Sequence, residues 1–263
     1  MRKTRDIVCL VYLVLAVAAA SILTIFPPTY SSEDTLQKLL SETILRLILL
    51  SAVVLLAFAY GYHKRYPLTK ESWKKIYWIL PCLLSVLANF PFSALISGTA
   101  VIDYPNYLWL YIIYCLSIGV LEEVLFRLVL LDFLIGWLQK KNHGMFLAVL
   151  LDAVIFALYH LMNLFVGAAV GPTMLQVGYS FLVGGMFAIS FLRTKNFLVP
   201  LFLHTIFDFG GFIVTMLGHG PFQDMVFWIL TGVTGFLVLG HCLFTLYHLD
   251  KEALPPQESD KTA

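Results

Sequence analysis

Eight times along its length the chain runs for about twenty residues almost without a charge, near 7–26, 43–62, 77–98, 107–137, 144–166, 173–192, 197–217 and 225–247. Twenty helical residues span about 30 Å, the thickness of a bilayer's hydrocarbon core. In that medium each backbone N–H and C=O must find its partner within the protein, which leaves helices as the natural solution for such segments. We therefore predict an all-α polytopic membrane protein of about eight transmembrane helices, with its working site inside the core bundle. The fourth window is too long for one perpendicular crossing, so it tilts or runs into the interface. Composition agrees: 60% of residues are hydrophobic, 13% are charged and the mean hydropathy is +0.85, too apolar for a water-soluble domain.

Loop charges set the orientation. With the N-terminus in the cytoplasm, segments 1–6, 63–76, 138–143, 193–196 and the tail from 248 carry fourteen of the seventeen Lys and Arg. The outer loops carry only Lys38, beside Glu33, Asp34, Glu42, Asp103 and Asp224. That asymmetry is the positive-inside pattern of a multi-pass cell-membrane protein with both termini cytoplasmic. Arg46 falls near the outer end of the second window, where it can snorkel, and Arg127 is intramembrane. The opening, Met1-Arg2-Lys3-Thr4-Arg5 before an apolar run, resembles a signal peptide, but the run is long enough to span and we read it as an uncleaved helix.

The loops are too short to hide a soluble domain, so residues 1–263 are read as one membrane domain with a catalytic core at about 107–217 and a polar, disordered tail at about 252–263. Ser31-Ser32-Glu33-Asp34 is a helix-start signal. A net charge of +1 says nothing about nucleic acid and no basic stripe suggests it, so no nucleic-acid partner is expected. Cys9, Cys82, Cys115 and Cys242 lie singly in apolar runs and are read as small buried hydrophobes. Gly167-x-x-x-Gly171, Gly184-Gly185 and Gly210-Gly211 are read as close helix contacts, and Pro91 and Pro200 as kinks or helix starts.

Against this apolar background Glu122, Glu123 and Arg127 stand out. A single ionised carboxylate at mid-bilayer costs about 2.5–3.5 kcal/mol even on the mildest scale, so intramembrane acids point to function. Residues four apart share a helix face while neighbours diverge by about 100°. Glu123 and Arg127 can therefore pair, which leaves Glu122 free to point into the bundle as a general base for water. His160 shares a face with Phe156, and His204 with Asp208; Asp208 can orient the His204 ring or meet a water or metal. Asp152, two turns before His160, is read as a structural acid on that side. One or two carboxylates with two histidines also match the donor types of an open zinc site.

Glu-Glu-x-x-x-Arg at Glu122, Glu123 and Arg127, Phe-x-x-x-His at Phe156 and His160, and His-x-x-x-Asp at His204 and Asp208 together resemble the CPBP family of intramembrane proteases. This family, also called Abi, includes the type II CAAX prenyl endopeptidases. The resemblance covers about residues 110–215. It implies an eight-helix endopeptidase acting on a membrane-embedded or lipid-anchored peptide, of CAAX, bacteriocin or pheromone type. In that reading Glu122 activates the attacking water, and His160 and His204 hold the water or a metal and stabilise the oxyanion, with Asp208 in support. Both a Zn2+ site built from Glu122, His160, His204 and Asp208 and a metal-free glutamate mechanism fit the resemblance. Position 208 is Asp where many members carry Asn.

Two other classes compete. A non-catalytic bacteriocin-immunity or scaffold protein would keep the fold without needing Glu122, His160 and His204 together. A proton-coupled transporter would use buried acids and histidines as a relay, but it predicts paired repeats with broken helices, and the sequence has no such symmetry.

Overall fold

The computed structural model describes residues 2–26, 28–61, 75–138 and 140–253. Most of the basic segment 63–76 and the polar tail from 254 lie outside the described residues. Among the described residues ten α-helices follow in chain order: α1 Arg2–Ile25, α2 Asp34–Ala59, α3 Leu80–Ala88, α4 Phe92–Ser97, α5 Leu108–Glu123, α6 Asp132–Leu138, α7 Gly144–Tyr159, α8 Val170–Thr194, α9 Leu198–Leu217 and α10 Met225–Ala253. Three 3-10 turns, at Ile76–Ile79, Pro105–Tyr107 and His160–Val166, and a π-helical stretch at Val124–Leu131 complete the helical part.

Five stretches are long and apolar enough to cross a membrane: Asp34–Ala59, Gly144–Phe165, Val170–Thr194, Leu198–Leu217 and Met225–Glu252. The protein is thus an all-α, multi-pass membrane protein, and the differences from eight uniform spans are local. The third window is broken into a 3-10 turn, α3 and α4, because Pro91 cannot continue the ladder and instead stands as the residue before α4. The fourth is continuous from 108 to 138 but changes helix type in its middle. There α5 passes into the π stretch directly after Glu123, and α6 resumes at Asp132.

Local chemistry accounts for the ends. Helix α2 starts where Ser31-Ser32-Glu33-Asp34 placed a start. Asp224 precedes α10 and its Oδ1 accepts the Phe227 N–H at 2.9 Å, an N-cap bond. That bond and one from the Ser93 side chain hold the Asp224 carboxyl below its ordinary range. On the same side of the molecule a two-residue antiparallel ladder joins Val101 to His219 and Ile102 to Gly218, tying together the connections before α5 and after α9.

Helices α7 and α8 and helices α5 and α9 pack closely around the core. A side chain on Gly184 would strike the Phe156 ring at 2.9 Å, and one on Gly210 would strike the Phe90 ring at 2.5 Å, so these glycines do permit close approach. Gly167 and Gly171 do not: neither has any neighbour within 4 Å of a built Cβ, and Gly167 instead takes φ 88° at the end of the 3-10 turn from His160. The four cysteines are free and buried.

Candidate active site

Glu122 and Glu123 are the last residues of α5 before the π stretch begins. A π turn inserts an extra residue into the helical repeat and re-aims the side chains that follow, a deformation common at functional sites. Arg127 lies inside it and is fully buried, as are Glu123 and Asp152. Arg127 Nε donates to Glu123 Oε2 at 2.8 Å, and its Nη1 donates to Asp152 Oδ2 from α7. One guanidinium thus neutralises acids on two helices, the planar fork making two charge-assisted bonds at once. Three phenylalanines enclose it: its Cζ lies 5.1 Å from the Phe156 ring centroid and 6.0 Å from those of Phe126 and Phe187.

Glu123 is also bonded across the bundle. Its Oε1 receives the Nδ1–H of His204, on α9, at 2.8 Å. A carboxylate oxygen only accepts here, so the proton of that bond resides on Nδ1 and the ring orientation is set. Phe187 of α8 stacks beneath the imidazole with centroids 4.8 Å apart and planes 26° from parallel. The other nitrogen, Nε2, faces Glu122 Oε2 at 3.7 Å and Asp208 Oδ2 at 3.5 Å. Neither is a hydrogen bond, and both carboxylate oxygens are buried without a partner among the described residues. Glu122 Oε2 and Asp208 Oδ2 therefore both face His204 Nε2.

His160 begins the 3-10 turn after α7. Its Nδ1 lies 2.9 Å from the Phe156 carbonyl oxygen, so Nδ1 donates and Nε2 is left for the site. The Phe156 ring stands edge-on to both imidazoles, at 5.1 Å from His160 and 6.0 Å from His204. Phe-x-x-x-His thus supplies both the carbonyl that fixes the histidine tautomer and the ring that spaces the two histidines.

All six expected residues, Glu122, Glu123, Arg127, His160, His204 and Asp208, come to one region of the bundle. Asp152, read as a structural acid on the His160 side, pairs with Arg127. The missed signal was stoichiometric, since a buried guanidinium between two carboxylates needs a second acid and Asp152 stands in the next apolar run. Phe187 and its stacking on His204 had no sequence signature.

Of the residues considered for a metal, His204 Nε2 faces Glu122 Oε2 and Asp208 Oδ2, and the Phe156 carbonyl engages only Nδ1 of His160. Among the described residues no three His, Cys, Asp or Glu side chains form a metal-holding group.

The type II CAAX prenyl endopeptidase Rce1-like family matches the chain over residues 104–210, a span that holds every residue of this cluster. No curated protein and no solved structure matches the chain. With paired glutamates, an arginine and two histidines in apolar helices, residues 104–210 are similar to the Rce1-like family of type II CAAX prenyl endopeptidases.

Proposed function

We propose that the protein is an intramembrane endopeptidase in which Glu122 activates a water molecule to hydrolyse a peptide bond near the carboxyl end of a lipid-anchored substrate. The observation that carries this reading is the unpartnered, buried Glu122 Oε2 beside His204 Nε2, whose ring is locked from the far side by Glu123. A buried polar atom left unbonded costs about 1–3 kcal/mol, and a substrate water that bonds there recovers it.

The chemistry follows from the tautomers. A water between Glu122 and His204 gives a proton to Glu122 as its oxygen attacks the scissile carbonyl. His160 Nε2, bare while Nδ1–H is held by the Phe156 carbonyl, accepts the water's second O–H and aims a lone pair at the substrate. The carbonyl oxygen gains charge as the tetrahedral intermediate forms. His204, doubly protonated between Glu123 and this oxygen, donates Nε2–H to it, with Asp208 holding the ring's outer edge. Glu122 then passes its proton to the departing amine, and the C–N bond breaks. Arg127 and Asp152 touch no reacting atom; they keep Glu123 ionised and in place. Substrates in this reading are CAAX-type or bacteriocin- and pheromone-like peptides, and both termini of the protein face the cytoplasm.

The test is cleavage of a farnesylated peptide ending in a CAAX motif by detergent-purified protein, wild type beside Glu122→Gln. Hydrolysis lost in the variant, with folding intact, is the expected result. Equal cleavage by both proteins would overturn the assignment of Glu122, and cleavage by neither would favour a scaffold that keeps the fold without the reaction.

A further inference from the structure

Arg46 does not stand apart at the outer interface. It lies on the seam between α2 and α5, with its Cζ 4.8 Å from the Tyr114 ring centroid and its side chain 25% exposed. Its Nη1 bonds the Glu42 carboxylate and the Glu42 carbonyl oxygen, both at 3.0 Å. The Tyr114 hydroxyl donates to the same Glu42 carboxylate oxygen at 3.3 Å. Among the described residues both hydrogen bonds of the guanidinium run through Nη1, leaving the edge formed by Nε and Nη2 for a second acceptor. The charge is within electrostatic reach of Glu122, Asp208 and Tyr159. Arg127, by contrast, is fully buried and bonds Glu123 and Asp152.

Distance gives this cation a task. Tyr114 and Glu122 are eight residues apart on one helix, about 12 Å along its axis. A CAAX motif ends a chain: after its cysteine come two aliphatic residues, a variable residue and the terminal carboxylate. Any bond cut within the motif is therefore at most three residues from that carboxylate, roughly 10 Å of extended chain. A peptide with its scissile carbonyl at Glu122 reaches the level of Tyr114 with its free end. Resting on the proposed endopeptidase reading, we infer that Arg46 is a specificity-determining residue that receives the substrate's terminal carboxylate, with Tyr114 as the platform beneath its guanidinium. Glu42 keeps the arginine neutralised and oriented when no substrate is bound. The free edge then makes the second, charge-assisted contact when the peptide enters. The site accordingly measures the length from cut bond to chain end.

The test compares two farnesylated CAAX peptides that differ only in ending as a carboxylate or as an amide. Each is cleaved by purified wild-type protein, Arg46→Gln and Arg46→Lys, with Glu122→Gln as the blank. Wild type should favour the acid by about tenfold or more in kcat/KM, chiefly through KM. Arg46→Gln should bring the acid down to the level of the amide while leaving amide cleavage unchanged, and Arg46→Lys should restore part of the preference. Equal use of both peptides by wild type, or equal losses on both in Arg46→Gln, would overturn the inference while leaving the protease intact. Cleavage of neither peptide by wild type would take down the endopeptidase reading and this inference with it. Should Arg46→Gln not accumulate, the acid-to-amide ratios of wild type and Arg46→Lys decide.

Discussion

Glu123 has both carboxylate oxygens bonded, one to His204 and one to Arg127, whereas Glu122, its neighbour in the chain, has a buried oxygen with no partner among the described residues. The two share a residue type, a helix and a membrane depth. What separates them is a rotation of about 100°, which turns one toward Arg127 and the other toward the space beside His204. On one side lies a continuous polar network running from Asp152 through Arg127 and Glu123 to His204, walled by Phe126, Phe156 and Phe187, with Arg127 Nη2 and Asp152 Oδ1 as its unbonded ends among the described residues. On the other lie Glu122, Asp208 and the free edges of two imidazoles. A continuous network rigidifies, because every bond holds the next; an open one binds, because its groups gain partners only when a substrate and water arrive. Catalysis needs both, since a base is useful only if its surroundings do not move.

Substitutions on the two sides should therefore fail in different ways. The largest effect belongs to the networked side: Arg127→Met strands two buried carboxylates and should cost about 3–5 kcal/mol of stability. It is read as lost accumulation and a lower unfolding temperature in detergent. A stable Arg127→Met protein would mean that the network contributes little to the fold. Glu122→Gln comes next and inverts the pattern. Cleavage should fall by about 10²–10⁴-fold, the worth of a general base, while the unfolding temperature stays close to wild type.

Asp208→Asn should do less. The Oδ2 atom is 3.5 Å from His204 Nε2 and makes no hydrogen bond, and an amide keeps the shape and an oxygen at the same place. We expect a loss of less than about tenfold in kcat/KM. A loss as deep as that of Glu122→Gln would promote Asp208 from supporting His204 to handling a proton. The smallest effect is expected from a zinc chelator, which should leave cleavage unchanged because no three His, Cys, Asp or Glu side chains among the described residues form a metal-holding group. Activity lost to chelation and restored by added zinc would replace the water-and-glutamate scheme with a metal one.

Much of the site is legible in the amino-acid sequence. An acid, an arginine or a histidine in a long apolar run is conspicuous, and i,i+4 spacing alone pairs Glu123 with Arg127 and sets Asp208 beside His204. Asp152 shows the limit of that logic. Spacing along its own helix points it toward His160, but its bond is to Arg127 on another element, and no periodicity reports on contacts between helices. Arg46 shows the same limit. Distance from the helix end suggests an interfacial side chain, while the packing of α2 on α5 turns it over Tyr114.

The sequence by itself determined that this chain is helical and lies in a membrane, because twenty apolar residues in hydrocarbon must satisfy their own backbone. It also determined which side chains carry charge there, and that these residues resemble a known protease core. Only the tertiary structure decided how the charges divide. Gly184 admits the Phe156 ring, Phe187 stacks on His204, and the π stretch seats Arg127 between Glu123 and Asp152. Those contacts join residues on different helices, and they close one glutamate into a network while leaving its neighbour open.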